Sequence, residues 1–144
     1  MQVIHLCGAA DEQSVSRAYD ASGLAHVVRP FETEMWRAYA AADCALCRAG
    51  AATVAELSAT GTPSLLVPYP YATEQHQAKN AAALEREGAA RVVAEENLDA
   101  NTLVEYVRHM QDQSIRQEMG RQARRLARPD ATEQLADLVE KYMT

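Results

Sequence analysis

The sequence predicts an α/β fold, a doubly wound and mostly parallel sheet of the Rossmann-like kind. Three observations lead there. Short apolar runs alternate along the chain with segments of helical periodicity. Helix-length connections separate successive runs, so the strands need crossovers and pair in parallel. Glycines and prolines punctuate the ends, as at Gly23, Gly61, Pro63, Pro68 and Gly88. With 144 residues, 48% hydrophobic and 24% charged, the chain is long and apolar enough for one domain with a real core.

In order, strand 3–6 is followed by a helix over 11–22 that stops at Gly23. Strand 25–28 comes next, then a helix over 32–42 in which Met35, Trp36 and Tyr39 recur at helical spacing. Strand 44–47 leads into a short helix over 53–60, closed by Gly61-Thr62-Pro63. Strand 64–67 ends at Pro68 and Pro70, and a helix over 74–87 stops at Gly88. Strand 91–94 is the last, with three helices behind it at 99–111, 114–126 and 130–142.

Charge and composition exclude several classes. A net charge of −6 is the wrong sign for a nucleic-acid binder. No apolar run approaches the ~20 residues that span a bilayer, and no charged-then-apolar leader opens the sequence, so a cytosolic protein is expected. Cys7, Cys44 and Cys47 are odd in number and too few for a four-ligand zinc site. Cys44 and Cys47 stand three apart on a strand, on opposite faces, and read as small buried hydrophobes.

Ligands of doubly wound sheets bind outside the carboxyl ends of the strands, and three segments there carry suggestive chemistry. The run from Arg48 through Gly50, Ala51 and Ala52 to Thr53 joins a strand to a helix. Its small residues would admit a phosphate to the free amides and positive dipole of the helix start, though they serve a plain tight turn equally well. Glu56, one turn on, either favours the helix dipole or accepts hydrogen bonds from two ribose hydroxyls. The segment from Pro68 to Ala81 runs from a proline-stiffened loop into a helix start with His76, Gln77 and Asn80. Those side chains suit a sugar bearing hydroxyls and an acetamido group, and they suit a solvated helix start as well.

The runs 43–57 (DCALCRAGAATVAEL) and 76–81 (HQAKNA) resemble the signatures of the MurG family. These enzymes are UDP-N-acetylglucosamine:undecaprenyl-pyrophosphoryl-N-acetylmuramoyl-pentapeptide N-acetylglucosaminyltransferases. Pro30-Phe31, Met35, Tyr39, Gly61-Thr62-Pro63, 87–90 and 128–131 resemble the family in the same order, so the likeness covers nearly the whole chain. It implies the C-terminal, donor-binding domain of a two-domain GT-B glycosyltransferase. By position, the backbone at Glu32 beside Phe31 would contact uracil, and Met35 would pack beside the base. The loop of Gly50, Ala51, Ala52 and Thr53 would cradle the pyrophosphate, Glu56 would hold the ribose, and Arg48, Val54 and Ala55 join them as binding residues for the sugar nucleotide. Gln77, helped by His76, would hold N-acetylglucosamine. Glu32 replaces the apolar residue usual in the family. No catalytic residue, cofactor or metal is implied in this chain.

Two family features are not in the sequence: the N-terminal acceptor domain with its proposed general-base histidine, and a first donor-domain strand with a Gly-Gly-Ser loop. In the usual order that strand would lie between the strands at 3–6 and 44–47. The chain is therefore read as a fragment of a longer bacterial enzyme, inactive alone, or as two flanking strands that pair directly. The implied parent transfers N-acetylglucosamine to a lipid-linked acceptor in peptidoglycan synthesis, at the inner face of the cell membrane. Two alternatives stand beside it: a stand-alone donor-binding subunit with a separate acceptor partner, and a non-catalytic nucleotide-binding remnant. His5 and His26 read as packed polar residues, and His109 as a surface residue. Arg121, Arg124, Arg125 and Arg128 read as a solvated face rather than a membrane contact.

Overall fold

The computed structural model describes residues 1–143, which form two compact units, Met1–Ala38 and the chain from Tyr39 onward. Where the sequence predicts one sheet, the described residues form two, one pairing the strands at 2–6 and 25–29 and the other ordering those at 45–47, 64–66 and 90–92. Every pairing among the described residues is parallel, as helical crossovers require.

In the first unit, β1 (Gln2–Leu6) and β2 (Ala25–Arg29) pair from Gln2↔Ala25 to Leu6↔Arg29. Helix α1 (Glu12–Ser22) makes the crossover and ends where Gly23 takes a left-handed φ of 68°. The α1 residue Tyr19 covers one face of this sheet. Its hydroxyl lies 3.1 Å from His5 Nδ1, and its ring stacks on His26 at 5.2 Å. Both histidines are thus packed polar residues. On the opposite face the register pair Ile4 and Val27 stays half exposed, each at 47%. No residue of this unit is buried.

Helix α2 (Met35–Ala41) spans the boundary between the units and buries Tyr39. The second unit then runs β3 (Ala45–Cys47), α3 (Ala51–Thr60), β4 (Ser64–Leu66), α4 (His76–Arg86) and β5 (Ala90–Val92). Helices α5 (Ala100–His109), α6 (Gln113–Leu126) and α7 (Ala131–Met143) follow. The central strand β4 is wholly buried, as expected of a parallel strand covered on both faces. Leu65 packs with Tyr106 and Met110, while half-buried Cys44 joins the edge of that cluster. Side chains cap two helix starts: Asp99 accepts from Thr102 N at 2.7 Å and Asp112 from Ser114 N at 2.8 Å.

Two glycines fix α3 against α6. Gly61 ends α3 with a φ of 68° under the Arg124 guanidinium, and a Cβ on Gly120 would lie 2.7 Å from Gly61 O. Arg124 also donates to Thr60 O at 2.9 Å, Arg121 pairs with Glu118, and Arg125 donates to Gln122. The arginine run is therefore partly structural. Among the described residues no helix is long and apolar enough to cross a membrane, and no cluster of metal-ligating side chains occurs.

Candidate functional site

In the second unit all three strands end at one edge of the sheet, and the loops after β3 and β4 carry most of the residues singled out by sequence. Helix α3 starts two residues earlier than the sequence reading placed it, because Gly50 and not Ala52 is the N-cap. Ala51, Ala52 and Thr53 thus form its first turn, and no side chain caps it. The Val54 N–H is spent on Gly50 O at 2.9 Å, and Ala55 lies deeper in the helix. The amides left for a ligand are those of Ala51, Ala52 and Thr53.

Gly50 itself is informative. Its φ of −63° suits any residue, and an added Cβ would meet only Thr53 Oγ1 at 3.8 Å, an ordinary contact. Neither backbone conformation nor packing within the chain calls for glycine there. A group that must approach the backbone closely would.

Glu56, one turn on and half-buried, has no hydrogen bond or ion pair to its carboxylate among the described residues. The Tyr39 phenol is pushed up to about 12 by burial first, then by the Cys47 and Glu56 side chains. Burial likewise pushes the Cys47 thiol up to about 12, which disfavours the reactive thiolate.

The structure gives Arg48 partners of its own. Its guanidinium pairs with Glu95 at 2.7 Å, donates to Val67 O at 3.3 Å and sits 5.5 Å over the Tyr69 ring. Helix α4 begins at His76, not at 74, because Glu74 and Gln75 have left-handed φ values of 53° and 55° that no regular helix accommodates. His76 Nδ1 donates to Thr73 O at 2.6 Å, which leaves Nε2 as an acceptor in the neutral ring. Gln77 Oε1 accepts from Tyr69 N at 2.9 Å and Ala49 N at 3.3 Å, while Asn80 Nδ2 donates to Ala49 O at 3.1 Å. The sequence reading passed over the connecting roles of Asn80, Tyr69 and Glu95. The i, i+3 spacing of Gln77 and Asn80 on one helix face was the available signal for the first.

Phe31, Glu32 and Met35 belong to the first unit. Phe31 is 74% exposed. The Glu32 carboxylate accepts from Glu34 N at 2.9 Å and pairs with Arg29 at 2.7 Å, and these contacts, the Glu34 N–H foremost, hold it below the usual carboxylate range. Its side chain is thus occupied, leaving its backbone for any base contact. Met35 opens α2 and is half-buried.

Residues 1–140 match the model of the glycosyltransferase family 28 C-terminal domain. The chain belongs to this family. It is 41% identical over 141 residues to the UDP-N-acetylglucosamine–N-acetylmuramyl-(pentapeptide) pyrophosphoryl-undecaprenol N-acetylglucosamine transferase of Solibacter usitatus, covering 98% of this chain and 38% of that protein. The enzyme of the same name from Paraburkholderia xenovorans is 43% identical, with 95% and 38% covered. The chain thus spans about two-fifths of the length of these relatives. Among solved structures, Acinetobacter baumannii MurG superposes with a TM-score of 0.90 at 32% identity, over 97% of this chain and 43% of that one. The calicheamicin glycosyltransferase CalG4 shares the fold, with a TM-score of 0.66 at 20% identity. The fold is therefore that of the C-terminal half of a GT-B glycosyltransferase.

Proposed function

We propose that this family 28 domain is the donor-binding half of an inverting glycosyltransferase. The complete enzyme moves N-acetylglucosamine from UDP-N-acetylglucosamine to undecaprenyl-linked N-acetylmuramoyl-pentapeptide. The observation that carries the donor site is Gly50, a glycine the fold does not require, at the head of three free amides, with the unpartnered Glu56 carboxylate one turn behind.

The chemistry follows from that arrangement. The acceptor 4-hydroxyl attacks the anomeric carbon, configuration inverts, and UDP departs. Negative charge grows on the departing pyrophosphate, where the amides of Ala51, Ala52 and Thr53 and the positive end of α3 would stabilise it. Glu56 accepts from the ribose hydroxyls, and Gln77 and His76 meet the sugar. An N-terminal domain, joined in the same polypeptide or supplied as a subunit, binds the lipid-linked acceptor, supplies the base and brings the enzyme to the inner membrane face.

Calorimetry tests the donor site. The purified chain is expected to bind UDP-N-acetylglucosamine but to transfer nothing to a lipid-linked acceptor. Glu56→Ala should weaken binding by about 1–3 kcal/mol, the scale for hydrogen bonds to a charged group. Equal affinity of the two proteins would remove Glu56 from the site, and transfer by the chain alone would sink the need for a second domain.

A further inference from the structure

We infer that Gln77 and Asn80 act as positioning residues that clamp the Ala49 peptide from helix α4 and so set the geometry of the turn at Gly50. The inference rests on the donor-site reading above for its functional meaning, but its geometry stands apart from any ligand. Ala49 is fully buried, between the end of β3 and the start of α3. A buried peptide there needs partners for both its N–H and its carbonyl.

No backbone group supplies them among the described residues; both partners are side chains of α4. The Ala49 N–H donates to Gln77 Oε1 at 3.3 Å, and the Ala49 carbonyl accepts from Asn80 Nδ2 at 3.1 Å. Gln77 Oε1 also accepts the Tyr69 N–H at 2.9 Å, which ties the loop after β4 to the loop after β3. The chemistry fixes both amide orientations, because N–H groups need an oxygen and a carbonyl needs an NH₂.

Two consequences follow. First, both lone-pair directions of Gln77 Oε1 are taken, so its remaining hydrogen-bonding capacity is the NH₂ group. Toward a sugar it acts as a donor, meeting a hydroxyl oxygen or an acetamido carbonyl. Second, the same side chain that meets the sugar holds the Ala49 N–H, one residue before Gly50. Hexose recognition and the pyrophosphate cradle therefore share one support. Removing Gln77 should cost affinity for UDP, which has no sugar, as well as for the sugar nucleotide.

Amide hydrogen exchange on the labelled chain, paired with titrations of UDP and UDP-N-acetylglucosamine, tests this. In the free protein Gln77→Ala should speed exchange at Ala49 and Tyr69 about tenfold or more, the scale of a lost net hydrogen bond. Gln77→Glu keeps an acceptor oxygen and should retain their protection. Asn80→Ala and Gln77→Ala should each weaken UDP about tenfold. If Gln77→Ala fails to fold, Gln77→Met keeps the length without the acceptor and reports the same exchange. Unchanged exchange at Ala49 and Tyr69 in the Ala or Met variant would overturn the clamp. Faster exchange with wild-type UDP affinity would overturn its role in the cradle. A wild-type chain that binds no UDP would overturn the cradle role and the donor-site reading together, while the exchange rates still decide the clamp itself.

Discussion

The two units of this chain differ in how far they complete a parallel α/β layer. From Tyr39 onward β4 has a strand on each side, and Leu57, Leu65, Leu66, Ala81, Leu84 and Tyr106 are all buried. In Met1–Ala38 two strands carry a single full helix, nothing is buried, and Ile4 and Val27 leave one sheet face half exposed. The same βαβ pattern in sequence thus produces a core in one unit and only a half-covered ribbon in the other. Burial, not pattern, decides where stability resides.

The largest expected effect draws that contrast directly. Leu65→Ala removes a fully buried side chain packed on Tyr106 and Met110, and should cost about 2–5 kcal/mol in denaturant unfolding. Ile4→Ala, at a half-exposed position, should cost less than ~1 kcal/mol. Equal losses would erase the distinction between the units. Next in size is Gly120→Ala, whose new Cβ must displace the Gly61 backbone and should cost about 1–3 kcal/mol. Gly23→Ala meets nothing within 4 Å and carries only the left-handed penalty, about 1–2 kcal/mol. A ranking in which Gly23→Ala is the worse would place the tighter packing in the wrong unit.

The smallest effect is on pH dependence. The amide and hydroxyl of Thr102 hold the Asp99 carboxyl below its ordinary range, and the hydroxyl and amide of Ser114 do the same for Asp112. A depressed folded-state pKa adds stability above the unfolded carboxylate pKa, and that stability is lost as pH falls through the folded value. Denaturant midpoints should therefore decline as pH drops below about 4, and Asp99→Asn should flatten part of the decline. An unchanged slope in that variant would mean the cap contributes nothing to acid sensitivity.

Much of this was legible in sequence. Among the described residues, apolar runs and stop glycines located the five strands and seven α-helices within a few residues, because parallel strands and capped helices leave local signatures. Boundaries at the site were not legible. Ala51 and Ala52 read as loop because small residues suit both states, and only the N-cap geometry of Gly50 decides. Glu74 and Gln75 carry no mark of their left-handed backbone, since neither residue type favours a positive φ. The two amides of α4 were legible as sugar-binding types, whereas their grip on Ala49 depends on a fold-level contact across 28 and 31 residues. The separation into two sheets leaves β1 and β3 unpaired with each other, the two strands between which the family resemblance places a further one.

The most direct test of the donor site is to follow backbone amide resonances while UDP is added. A second groove of about 580 Å³ lies where β5 begins, at the opposite ends of the strands, and is lined among others by Gly88, Arg91, Arg108 and His109. Shifts centred on Gly50, Ala51, Ala52 and Thr53, with Glu56 following, are the expected result. Shifts centred on Gly88, Arg108 and His109, with Gly50 to Thr53 unmoved, would contradict it.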